Sequence, residues 1–74
     1  MIAFSPLATS QLEEIYDGLS FTTNSKIAWV NGAKKKIQNS VISENYNVML
    51  IAGLTISCNV EKNGTALTVK SITV

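Results

Sequence analysis

The chain has no histidine and no arginine, and only one cysteine and one proline among its 74 residues. The lone thiol, Cys58, excludes an internal disulfide and any multi-cysteine metal site. With no histidine and no glycine-rich loop, neither a nucleophile–base pair nor a phosphate cradle can be assembled from recognisable parts. No metal and no cofactor is therefore expected. Charge is also scarce, at 15% of residues with a net of +1, so electrostatics alone give no strong case for a nucleic-acid partner. No apolar run approaches membrane-spanning length, and no membrane association is expected. The first residues carry neither a basic region nor a small-residue cleavage site, so no signal peptide is expected and the cytoplasm is the expected location.

What is abundant is apolar surface, with 46% hydrophobic residues in a chain long enough for one domain, 1–74. So small a core is marginal, and burial against a second copy or a partner is a common remedy.

The last third, residues 47–74, reads as antiparallel sheet. Asn63-Gly64 is the strongest turn signal, because a two-residue hairpin favours residues that tolerate φ > 0. With those two as the turn, Lys62 faces Thr65, Val60 faces Leu67, Cys58 faces Val69 and Ser57 faces Lys70. Leu54, Ile56, Cys58 and Val60 then share one face with Leu67 and Val69. Thr55, Ser57, Asn59 and Glu61 share the other with Thr68 and Lys70. On its apolar face Cys58 reads as a small buried hydrophobe rather than a reactive thiol. Residues 48–52, VMLIA, are apolar on both faces. If Ala52-Gly53 is a tight turn, Met49 and Ile51 face the core. Val48 and Leu50 then lie on the second face near Thr55 and Ile72, making an apolar patch (Val48, Leu50, Ile72) on the side away from the helices.

Before the sheet, residues 1–4 read as a short strand. Ser5-Pro6 pairs a favoured helix N-cap with a favoured first helical residue. Ala8, Leu12, Ile15 and Leu19 form one stripe, with Glu13, Glu14 and Asp17 opposite as a solvated face. Ser10 with Glu13 offers a second start one turn later, and Gly18 a C-terminal cap. Residues 20–25 connect to a second helix capped by Asn24 or Ser25. Its stripe is Ile27, Val30, Ile37 and Val41, flanked by Ala33. Trp29 falls at the edge of that stripe and is a candidate binding residue. Lys34, Lys35 and Lys36, with Lys26, form the most basic stretch, and together with Lys70 they are the candidate contacts for RNA or phosphate. Consecutive residues spread round a helix, so the three do not make one focused patch. Residues 43–47 are polar and end the helix.

The expected fold is α+β, a two-layer sandwich in the order β-α-α-β-β-β. A helix hairpin covers one face of a mostly antiparallel four-stranded sheet.

That order, with Phe4-Ser5-Pro6-Leu7-Ala8 leading into Gln11-Leu12-Glu13-Glu14-Ile15-Tyr16-Asp17, resembles the RelE/ParE toxin superfamily. Members open on an extended segment followed by F-S-P-x-A-x-x-x-L-x-x-I-x-x-Y/I. The resemblance continues at Gly53-Leu54-Thr55-Ile56-Ser57-Cys58-Asn59-Val60, which is similar to the family's G-x-R-I-x-Y-x-V. It implies toxin–antitoxin biology, in which members cleave messenger RNA in the ribosome or block a protein target, and an antitoxin segment neutralises them. This chain departs from the pattern where chemistry is concerned. Thr55 stands at the family's sheet arginine, and the basic, tyrosine or histidine residues of the nucleases have no counterpart. Cleavage through the 2′-hydroxyl needs a proton acceptor, a proton donor and positive charge at the phosphate. The open face offers Lys70 and Glu61, and two exposed strand residues of opposite charge are much more often an ordinary cross-strand pair than a catalytic one. The expectation is a compact, degenerate member that binds protein, with an antitoxin-like protein or a second copy as partner. The alternatives are a ribosome-dependent messenger-RNA endonuclease and a non-catalytic interaction subunit or phage-encoded inhibitor.

Overall fold

A computed structural model of the chain describes residues 2–20, 24–41 and 47–74. Strand β1 (Ile2–Phe4) leads into helices α1 (Pro6–Asp17) and α2 (Lys26–Ser40), followed by strands β2 (Val48–Ile51), β3 (Leu54–Asn63) and β4 (Ala66–Thr73). The four strands form one sheet in the order β1-β4-β3-β2. β1 joins its edge parallel to β4, and the other two pairings are antiparallel. Both helices lie on one face, giving the expected α+β two-layer arrangement. Parts of the connections read at 20–25 and 43–47, and Met1, lie outside the described residues.

Local chemistry sets the helix boundaries. The Ser5 hydroxyl accepts the Ala8 N–H at 3.0 Å, Pro6 fills the first turn where no donor is needed, and Gly18 closes the helix. The alternative start at Ser10 is not used. In α2, Ser25 rather than Asn24 is the cap, its hydroxyl accepting from Ala28. Ala8 and Leu12 from α1 meet Val30, Ala33, Ile37 and Val41 over Ile51, Ile56, Val60, Val69 and Ile72 of the sheet. Ile27 does not join its expected stripe. It is 76% exposed, because it sits in the first turn of α2, away from the core.

Two turns set the sheet register. Ala52 and Gly53 both have positive φ, at 52° and 79°, as a type I′ turn requires. Alanine there costs about 1–2 kcal/mol of backbone strain. This turn pairs Ile51 with Leu54 and Val48 with Ser57, so Met49 and Ile51 face the core and Val48 and Leu50 face away, as expected.

The second hairpin differs from its expected pairing. Asn63 is the last strand residue and pairs with Ala66; Gly64, at φ 66°, and Thr65 form the turn. Positive φ then falls on glycine alone, and asparagine escapes it. Lys62 faces Leu67 rather than Thr65, and Val60 faces Val69 rather than Leu67. A shift of two residues preserves the faces. A β-bulge follows, in which Val60 pairs with Val69 and Asn59 with Ser71, leaving Lys70 as the extra residue. Cys58 consequently faces Ile72 and Ser57 faces Thr73, instead of Val69 and Lys70. That single added residue reverses the facing of the strand's end. Ile72 is therefore a core residue, 4% exposed, and not part of the outer patch.

Helix α1 satisfies the strand beyond the bulge. β1 ends at Phe4, opposite Val69, and the Ser5 N–H donates to Val69 O at 2.9 Å. Past that point the Ser5 hydroxyl donates to Lys70 O at 2.5 Å, and Gln11 Oε1 accepts the Ile72 N–H at 2.6 Å. The side chains of the Ser5 cap and of Gln11 in α1 thus take the place of the missing strand.

Candidate functional site

The sheet face away from the helices is uncovered among the described residues. Alternation along β3 puts Thr55, Ser57, Asn59 and Glu61 there, all exposed. Beside them on β2 stand Leu50, 61% exposed, opposite Thr55, and Val48, 44% exposed, opposite Ser57. These two are the apolar part of an otherwise polar face.

The candidate cations do not converge. Lys70 projects from the bulge, and its Nζ lies 3.0 Å from Glu61 Oε2, so the two neutralise each other at the surface. Such an exposed pair is worth little in stability. Lys34 is on the opposite layer, with its ammonium 5.5 Å from the centre of the Phe4 ring. Lys35 and Lys36 are exposed on α2. Trp29 is half-buried, its ring 6.0 Å from that of Tyr16 and tilted by 57°. Tyr16 in turn donates its hydroxyl proton to Asn24 O at 2.8 Å, and Lys26 pairs with Asp17 at 2.8 Å. The hydrogen bond that Lys26 donates to the Asp17 carboxylate raises the Lys26 pKa. Trp29 thus works chiefly as part of the junction between the two helices. One of its flanks lines an open cavity of about 180 Å³ with Gly32, Lys36, Ile51 and Ala52. Another cleft, of about 360 Å³, runs between Gln11, Glu14 and Ile15 of α1 and the end of β4.

Cys58 is half-buried on the core face opposite Ile72, and desolvation raises its thiol pKa, the reverse of an activated nucleophile. Among the described residues, no group of three or more Asp, Glu or Cys side chains is placed to hold a metal ion. No helix in the described residues is long and apolar enough to cross a membrane.

The edge of β2 is a feature that side-chain patterning did not reveal. The Cys58 N–H donates to Asn47 O at 2.8 Å, which makes Asn47 and Cys58 a hydrogen-bonded pair. In an antiparallel ladder such pairs alternate with non-bonded ones. Met49 and Ile51 therefore bond to β3, whereas Val48 and Leu50 aim their N–H and C=O groups outward. A sequence signal for this exists in the Ala-Gly turn: a two-residue loop closes on a hydrogen-bonded pair, and counting back from Ile51 gives the alternation.

The chain matches no family model, no curated protein and no solved structure.

Proposed function

We propose that the chain is a compact RelE/ParE-like toxin-fold protein of a toxin–antitoxin type system, which acts in the cytoplasm by binding protein. The supports are the β-α-α-β-β-β order and the Ser5-Pro6 entry into α1, to which the motif resemblance attaches. The observation that carries the binding mode is the exposure of Val48 and Leu50 on the uncovered sheet face. A segment of an antitoxin-like partner would lay apolar side chains on Val48 and Leu50, with Thr55 and Ser57 as flanking hydrogen-bonding groups. The same face carries its nearest acid and base, Glu61 and Lys70, as an ion pair, and the α2 lysines stand on the other layer. Binding therefore fits this face better than RNA cleavage.

Inducible expression in a bacterial host tests this reading. Growth arrest is expected, with ribosome-bound messenger RNA left uncut. The double variant Val48→Thr/Leu50→Thr should relieve the arrest while keeping its melting temperature, because surface changes between strand-forming residues usually stay within about 0.5 kcal/mol. Unimpeded growth on expressing the unmodified chain overturns the reading. Arrest with messenger-RNA cutting that is lost in Lys70→Ala would assign the nuclease function instead.

A further inference from the structure

The two edges of the sheet are treated differently. At the β1 edge the Gln38 side-chain amide donates to Ile2 O at 3.4 Å, and Lys34 sits over Phe4. Where β1 ends, Ser5 and Gln11 bond the exposed backbone of β4. Charges, prolines, bulges and covering side chains are the usual devices that keep sheet edges from pairing. Among the described residues β2 has none of them. Its residues are Val48, Met49, Leu50 and Ile51, it pairs with β3 without irregularity, and among the described residues nothing bonds the outward groups of Val48 and Leu50.

We infer that β2 pairs antiparallel with β2 of a second copy, joining two sheets into one of eight strands. The inference rests on the binding reading above and adds a partner at the edge rather than on the face. The register follows from the residues. Side chains opposite each other must share a face, so core-facing Met49 and Ile51 can only oppose core-facing residues. Pairing Met49 with Met49 of the other copy sets Val48 opposite Leu50 twice. These are the residues whose N–H and C=O groups point outward, so both crossings are hydrogen-bonded pairs. The neighbouring register, centred on Leu50, sets Val48 opposite Ala52, which has already left the strand for the turn. The Met49-centred register instead sets Ile51 opposite Asn47, which still follows the ladder through its carbonyl bond from the Cys58 N–H, whereas Ala52 has positive φ. That register also brings Val48 and Leu50 of both copies together as one apolar strip on the open face.

A second copy suits the edge better than a charged segment would. β2 carries no charge to attract one, and a net charge of +1 per chain gives the copies little mutual repulsion. The contact is a single short strand pair, so association belongs to concentrated rather than dilute solution.

Cross-linking tests the register. In a Cys58→Ala background, Met49→Cys places the two thiols on a non-bonded antiparallel pair with Cα atoms about 4.5 Å apart, within disulfide reach. Mild oxidation should yield a covalent dimer. Leu50→Cys should not, since its counterpart lies diagonally beyond that reach. Sedimentation equilibrium of the unmodified chain should show reversible dimers. Leu50→Pro should weaken them by roughly tenfold or more by removing one outward N–H per copy, a donor the fold itself does not use. A chain that stays monomeric at every concentration, or a dimer cross-linked as well through Leu50→Cys as through Met49→Cys, overturns self-pairing. A monomer that still arrests growth would overturn self-pairing alone, and a dimer that leaves growth unaffected would overturn the toxin reading alone.

Discussion

Ile72→Asp is expected to abolish cooperative thermal unfolding, whereas Leu50→Asp is expected to leave it intact. The two residues look alike in the sequence, since each is an apolar strand residue that unbroken alternation places on the open face. The bulge at Lys70 separates them. It turns Ile72 onto the core face opposite Cys58, while Leu50 remains on the open face. A carboxylate at 72 would be buried among Leu12, Val69 and their neighbours, with no cation in the core cluster to meet it. Burying an unpaired charge costs several kcal/mol or more. A 74-residue domain has roughly 4–11 kcal/mol in total, at about 0.05–0.15 kcal/mol per residue. Leu50→Asp meets water, and its cost is the lower strand preference of aspartate, about 1 kcal/mol at most. Circular dichroism melts of the two variants check this. Equal melts would mean that the two positions share an environment, and the bulge would be wrong.

Loss of Ser5 and Gln11 has the next largest expected effect. Ser5→Ala removes the cap of α1, worth about 1 kcal/mol, and the bond to Lys70 O. Gln11→Ala leaves the part-buried Ile72 N–H without a partner, at about 1–3 kcal/mol. Both residues fasten the same helix to the same strand, so the double variant should lose somewhat less than the roughly 2–4 kcal/mol to which the singles add. Gln11→Glu keeps an acceptor oxygen at the same reach, and should recover most of the loss if the hydrogen bond rather than packing is responsible. Chemical denaturation of the four variants gives the comparison. A Gln11→Ala variant as stable as the unmodified chain would remove α1 side chains as the substitute for a strand at this edge.

These positions also mark where the sequence could be read and where it could not. Ser5-Pro6 and the Ala8/Leu12 stripe settled α1, because capping and helical spacing are local. The faces of β3 were legible from strict alternation, and they survived a turn placed one residue too early. The resulting slip at Val60 was two residues, the period of a strand. Ile72 is misplaced when the alternation of Leu67 and Val69 is carried straight on; the mark of the bulge in β4 is the odd step from Val69 to the next apolar residue, Ile72. Lys70 and Ser71 are polar on either register, and only the bonds to Ser5 and Gln11, more than sixty positions away, fix the bulge in place. Ile27 followed the helical period, but the core does not extend to the first turn of α2. The open-face placement of Val48 and Leu50 was legible through the Ala52-Gly53 turn, although alanine is an uncommon residue there. The outward aim of their backbone groups required the ladder alternation as well as the face.

Residue-resolved amide hydrogen exchange on β2 tests the central claim most directly, because it reads the edge and its occupant together. In dilute solution the amides of Met49 and Ile51 should be protected and those of Val48 and Leu50 should exchange freely. As concentration rises, protection should appear at Val48 and Leu50 and nowhere else in the sheet. Slow exchange at Val48 and Leu50 in the most dilute sample, or no protection at Met49 and Ile51, would contradict an open, uncommitted β2 edge.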